Sequence, residues 1–175
     1  MWEIVIATVY FFLPAGFANM APIIFQNSLP GLAMPLDGGK KIRGKRIFGD
    51  HKTVRGMVCG FAFGILIAYV QSFHPFPGIE IIDYHQWLLL GFVQSVGALG
   101  GDLLKSFFKR QMNVAPGQSW VPFDQLDYVL GAILATTFFF HVPWEMIGAA
   151  LVLGPLFHMG LNRIGYWLKI RESPW

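Results

Sequence analysis

Cysteine is all but missing from this chain. Cys59 stands alone among 175 residues, which excludes a disulfide framework. Charge is scarce as well: Asp, Glu, Lys and Arg make up 13% of residues, against about 25% in an average soluble protein. No long repeat, low-complexity tract or composition shift marks a second domain, so residues 1–175 read as one unit. Basic residues are absent from two stretches, His74 to Gln86 and the turn near Glu145. No Ser-His pair or other activated nucleophile is visible. His141 and His158 have no metal-ligand spacing with Cys59 or with each other, and they read as structural.

What fills the chain instead is apolar. Hydrophobic residues account for 54% of it and gather into five segments, about Ile4–Phe25, Gly56–Phe73, Trp87–Phe108, Tyr128–Trp144 and Met146–Trp167. Each is near the length that a hydrocarbon core of roughly 30 Å demands at about 1.5 Å per residue. The expected fold class is all-α: a polytopic membrane protein of five transmembrane helices whose cytoplasmic loops form a polar site. Pro14, Gly16 and Pro22 interrupt the first segment, a break tolerated where backbone is buried in protein or lines a wet cavity. Glu3 stands where a basic n-region would be and the apolar run is long, so a cleaved signal peptide is not expected.

The cations orient this bundle. All thirteen lie in three places: seven between Lys40 and Arg55, three at Lys105, Lys109 and Arg110, and three at Arg163, Lys169 and Arg171. Cytoplasmic loops carry the excess of Lys and Arg. Five spans then put the N-terminus outside and the C-terminus in the cytoplasm of a multi-pass cell-membrane protein, with main cytoplasmic loops at about 27–55 and 109–124. The net charge of +3 suits anionic headgroups or nucleotide phosphates; no nucleic-acid partner is expected.

Ionisable groups are most informative where they are most costly. Asp102, Lys105, Ser106 and Lys109 follow one another at three- and four-residue steps and share a helical face. Arg110 ends the same run. After Pro116-Gly117 the chain returns with Pro122, expected as the first residue of helix four, and Asp124 and Asp127 three apart on one face. Carboxylates and cations at the mouth of an apolar bundle are functional candidates. Helix-dipole pairing would account for one aspartate but less well for two facing a third. The oxygen donors of Asp102, Asp124 and Asp127 suit Mg²⁺, with room for a second cation.

The first loop offers phosphate-binding chemistry. Gly39, Gly44 and Lys45 have Walker A spacing, but Arg46 stands where Ser or Thr is required and no βαβ unit surrounds it. Its glycines would let backbone N–H groups approach phosphates, with Lys40, Arg43, Lys45, Lys52 and Arg55 adding charge. Thr53 falls where helix two begins, near an anion-favouring N-terminus. A plain positive-inside anchor on anionic lipid explains the same cluster. Asn19, beside Pro22, is a weaker polar candidate. Gly56, Gly60 and Gly64, with Gly91, Ser95, Gly97 and Gly101, allow close helix approach within one chain, and a homodimer stays open.

Together these residues resemble a known signature. Ser106-Phe107-Phe108-Lys109-Arg110, then Pro116-Gly117, then Asp124-Gln125-Leu126-Asp127, is similar to the signature of CTP-dependent phosphatidate cytidylyltransferases. Lys52-Thr53-Val54-Arg55-Gly56 resembles the Lys-Thr-x-x-Gly element of that superfamily. Gln118-Ser119-Trp120 replaces the usual His-Gly-Gly run, and Gln125 an Arg. Those departures, the length and Asp37-Gly38-Gly39-Lys40 resemble the archaeal branch, the CDP-archaeol synthases. The resemblance implies Mg²⁺-dependent transfer of CMP from CTP to 2,3-bis-O-geranylgeranyl-sn-glycerol 1-phosphate (unsaturated archaetidic acid), releasing pyrophosphate. Catalysis would rest on Asp102, Asp124, Asp127 and Lys109, and the phosphates on Lys40, Arg43, Lys45, Lys52, Thr53, Arg55, Lys105, Ser106, Arg110 and Asn19. A CTP-dependent polyprenol kinase and a non-enzymatic ion or lipid transporter are the alternatives. A CDP-alcohol phosphatidyltransferase is disfavoured, because its Asp-Gly-x-x-Ala-Arg run is absent.

Overall fold

A computed structural model describes residues 2–74, 84–115 and 118–167. Pro116-Gly117, most of the loop after His74, and Lys169 and Arg171 lie outside the described residues. The first apolar segment forms two helices, α1 (Trp2–Phe11) and α2 (Leu13–Ile24), bent by 49° at the break. Pro14 has no N–H for the Tyr10 carbonyl, and Gln71 Nε2 donates to it instead at 2.5 Å. Gln94, with no exposed surface, treats the next pair similarly. Its Nε2 donates to the Phe11 carbonyl at 2.9 Å, and its Oε1 accepts from the Ala15 N–H at 3.2 Å. Phe11 and Ala15 are the i and i+4 partners of a continuous helix. The Gln94 amide is therefore spliced in where one helical hydrogen bond is lost. In an apolar bundle an unpaired backbone group costs several kcal/mol, so these two glutamines are what make the bend tolerable.

Beyond the first loop come α3 (Val54–Phe73), α4 (Trp87–Gln111), α5 (Phe123–Thr137) and α6 (Trp144–Trp167). Among the described residues three helices are long and apolar enough to cross a membrane, four if the bent pair counts as one span. At 15 residues α5 is about 22 Å long, short of a full hydrocarbon core. It also lies earlier in the chain than the expected Tyr128–Trp144 segment. Apolarity runs on past the helix, but Phe139 and Phe140 both turn their N–H groups to the Thr136 carbonyl, closing it off before Pro143. At the other end Pro122 immediately precedes the helix instead of being its first residue.

Small residues set the helix spacing, as the glycine steps led one to expect. A Cβ on Gly60 would meet Leu99 and the Ala18 carbonyl, and one on Gly91 would meet Ile65 and Ala68. Closest of all is α4 on α5. There Gly97 and Gly101 face the backbone of Asp127, Gly131 and Ala132, leaving no room for a side chain. Gly131, the partner on α5, was not apparent in the sequence pattern.

One buried cluster (Ala7, Phe11, Tyr84, Leu90, Val142, Met146) joins the second half of α1 to the beginnings of α4 and α6 at one end of the bundle. A second (Ala15, Ala98, Tyr128, Val129, Ala132, Ala150) lies under the helix break. Large apolar side chains such as Leu66, Phe92, Leu104, Leu134 and Val152 point outward and stay exposed. That arrangement fits a lipid surround and would be an aggregation hazard in water.

Candidate active site at the loop end of the bundle

The start of α3, the end of α4 and the start of α5 meet at the end opposite the first cluster, and the first loop folds over them. That loop contains a short stretch of regular structure. Lys41–Ile42 and Lys45–Arg46 pair as strands β1 and β2 of a two-residue hairpin. Arg43 and Gly44 at its tip have φ of 51° and 81°, the left-handed pair a type I′ turn requires. The hairpin explains the Walker-like spacing without a P-loop.

Asp37 organises the loop. Its side chain is fully shielded from solvent. It accepts from the amides of Gly39, Phe48 and Gly49 at 3.0, 3.0 and 3.1 Å, and from Arg46 Nη2 at 2.7 Å. The Arg46 guanidinium holds the Asp37 carboxyl well below the usual carboxylate range; burial opposes this and the three amides reinforce it. Neither Asp37 nor Arg46 is among the site residues expected from the sequence. The available signal was one carboxylate before Gly-Gly in a run otherwise rich in cations.

The hairpin is docked on α4 from both sides. The Lys45 ammonium reaches the Gln111 carbonyl at the helix end, where a cation suits the dipole, and Gln111 Nε2 donates back to the Arg46 carbonyl at 3.3 Å. Gly49 lies against the Arg110 side chain. Thr53 caps α3, accepting from the Gly56 N–H at 3.1 Å, so its observed role is structural. Arg55 Nη1 donates to the Ser28 carbonyl at 3.0 Å.

Three carboxylates and three ammonium groups then form one network. Lys52 pairs with Asp102, joining the first loop to α4. Lys109, nearly buried, donates to both oxygens of Asp124 at 3.1 Å and to the Gln118 carbonyl at 2.6 Å. At the centre sits Lys105, whose Nζ lies 3.3 Å from Asp102, 3.1 Å from Asp124 and 2.7 Å from Asp127. Asp124 also accepts the Trp120 N–H at 2.6 Å, fixing the start of α5. Formal charge in the network cancels, which is how so many ionised groups persist between apolar helices.

The expected site residues are thus gathered unequally. Asp102, Asp124, Asp127, Lys52, Lys105 and Lys109 are in direct contact. Ser106 is buried on the same helix. Arg110 lies at the rim, its Nη2 3.5 Å from the Ala115 carbonyl and its buried Nε without a partner among the described residues. Lys40 and Arg43 are exposed around the hairpin. Asn19 is half-buried on α2.

Among the described residues no three acidic, His or Cys side chains close on a common point as a metal shell. The aspartates converge on an ammonium instead. Their donor chemistry still fits Mg²⁺: hard carboxylate oxygens, from two helices, around one small cation.

Such a bundle, with a dense charge network at one end and apolar side chains outward, is the architecture of an intramembrane enzyme. A solved structure described as "an intramembrane enzyme for archaeal membrane lipids biosynthesis" matches it with a TM-score of 0.73 and 28% identity, covering 88% of this chain and 91% of that one. The family model CarS-like, CDP-archaeol synthase, matches residues 1–175, and the chain belongs to that family. Among its relatives is the CDP-archaeol synthase of Methanospirillum hungatei, 38% identical over 167 residues, covering 89% of this chain and all of the relative. That of Pyrococcus furiosus is 36% identical over 169 residues and covers 95% of each.

Proposed function

We propose that this chain transfers CMP from CTP to the phosphate of an archaeal diether lipid, 2,3-bis-O-geranylgeranyl-sn-glycerol 1-phosphate, in a Mg²⁺-dependent reaction at the cytoplasmic face of the membrane. The observation that carries the reading is the convergence of Asp102, Asp124 and Asp127 with Lys52, Lys105 and Lys109 at one end of the bundle, in a member of this family. A lipid phosphate oxygen is the nucleophile. It is largely dianionic near neutral pH because a phosphate monoester's second pKa is about 6. Its bond to the α-phosphorus forms as the bond from that phosphorus to the bridging oxygen breaks, and pyrophosphate departs. No protein nucleophile is needed, so the protein's work is alignment and charge neutralisation. Lys52, Lys105, Lys109 and Arg110 are placed to exchange carboxylate, backbone or rim contacts for phosphate oxygens, and Lys40, Arg43 and Lys45 to approach from the hairpin. Mg²⁺, held by Asp102, Asp124 and Asp127, would neutralise phosphate charge and orient the nucleotide.

An apolar hollow of about 130 Å³ opens beside Tyr128, next in sequence to Asp127, and is lined also by Phe12, Phe17, Met20, Val129 and Phe157. Its almost wholly apolar lining supports a prenyl-chain binding role. The test uses purified protein in lipid with separately α- and γ-labelled CTP. The α-label is expected in the lipid and the γ-label in pyrophosphate. Lipid labelled from the γ position would make the protein a kinase, and no transfer of either label would favour a transporter.

The five-span orientation, N-terminus outside, rests on the thirteen-to-zero distribution of Lys and Arg. Exposed Trp2 and Trp144 then fall at the outer interface. Single cysteines placed at Gly39 and Ser119 after replacement of Cys59 are expected to react from the cytoplasmic side, and one at Gly78 from outside. Reaction of the Gly39 and Gly78 positions from the same side would overturn the arrangement.

A further inference from the structure

Lys105 occupies the position at which the carboxylates converge. Each of the three aspartates has an oxygen within 3.3 Å of its Nζ, a relation no other ammonium in the network has. Lys52 pairs with Asp102 and Lys109 with Asp124. Asp127, whose side chain is only 4% exposed, has Lys105 as its ion-pair partner among the described residues. The lysine reaches back one turn along its own helix to Asp102 and across to α5 for the other two. Its contacts of 2.7–3.3 Å are ammonium spacings, whereas Mg²⁺ draws oxygens to about 2.0–2.1 Å. One cluster cannot serve both cations at once.

We propose that the Lys105 ammonium is the built-in counter-ion of this carboxylate site and competes with the divalent cation for it, so that metal entry releases Lys105 for substrate phosphate. This rests on the Mg²⁺ reading given above. Two consequences follow from the exchange. Without nucleotide the site is satisfied by its own lysine, and a metal must displace a charge held by three carboxylates. With nucleotide present the displaced ammonium finds phosphate oxygens, so metal and CTP each tighten the other by the same factor. The protein would thereby keep its acidic cluster neutral and closed until the nucleotide arrives, avoiding an excess carboxylate charge, centred on Asp127, between apolar helices.

The experiment is Mn²⁺ titration of the purified full-length protein, followed by loss of the free-ion paramagnetic resonance signal, with and without CTP. Lys105→Met is expected to bind Mn²⁺ about tenfold or more tightly than the wild type when CTP is absent, because a competing charge within hydrogen-bonding distance is gone. Lys105→Arg keeps the charge and should stay near the wild type. Added CTP should tighten Mn²⁺ binding strongly in the wild type and much less in Lys105→Met. Lys105→Gln supplies a second neutral variant should the methionine variant fail to fold, with melting temperature as the check. Equal Mn²⁺ affinity in the wild type and a folded neutral variant, with binding still lost in Asp102→Asn, overturns the counter-ion role alone. Mn²⁺ binding that survives Asp102→Asn combined with Asp124→Asn overturns the metal site and this proposal with it.

Discussion

Asp102→Asn and Asp124→Asn are each expected to lose at least about a hundredfold in turnover while still folding and inserting, more than the 10–100-fold typical of outer-shell metal partners. Asparagine keeps the size of the side chain and one carbonyl oxygen. At Asp124 that oxygen can still accept the Trp120 N–H, which is 2.6 Å away, so the start of α5 is preserved. What disappears is a charge that faces Lys105 and Lys109 now and would face Mg²⁺ and its phosphates in the reaction. Asp127→Asn should be close behind. Lys109→Ala is expected to retain measurable activity, since several cations overlap in phosphate binding. Turnover measured against Mg²⁺ concentration for each folded variant decides the matter. Near-normal activity and Mg²⁺ dependence in both Asp102→Asn and Asp124→Asn would return these residues to capping and charge pairing.

Gly101→Val should be almost as damaging, though Gly101 bears no chemistry. A Cβ there would fall on the carbonyl oxygen of Asp127 and within 3.3 Å of the Gly131 Cα. Both obstacles are backbone, so no rotamer change relieves them, and α4 and α5 must separate. Overpacking of this kind costs about 1–3 kcal/mol. The separation also pulls Asp127 from Lys105 and from the α4 half of the site, and a displacement of about 1 Å can cost roughly a hundredfold in rate. Gly100→Ala is the matched control, because a Cβ there meets nothing within 4 Å. The expected outcome is a lower melting temperature and turnover down by about a hundredfold for Gly101→Val, with Gly100→Ala near the wild type. Normal turnover in a folded Gly101→Val protein would mean that the α4–α5 spacing does not govern the site.

Much of this molecule is legible in its sequence. Fifty-four per cent hydrophobic residues and so few charges leave little choice but lipid as solvent. The confinement of every lysine and arginine to three places marks the polar loops. Asp102, Lys105 and Lys109 fall on one face because helical periodicity is a local rule, and Asp124 and Asp127 follow for the same reason. The glycine steps are legible likewise, since small residues four apart have few uses besides close packing.

Other features depend on residues far apart in the chain. The Phe11–Leu13 break is suggested by Pro14, but its repair by Gln71 and Gln94 requires two other helices at particular rotations. Thr53 is expected near the phosphates, and the fold adds that its side chain caps α3. Asp37 gained its role only when Phe48, Gly49 and Arg46 folded back around it. Gly131 matters because of which backbone faces it. Lys105 belonged in the sequence to a row of interchangeable cations, and the packing of α4 on α5 put it, rather than Lys109, among three carboxylates. Periodicity assigns a residue to a face of its own helix. Which groups that face meets is decided by crossing angle and rotation between helices, and these come from packing among all of them at once.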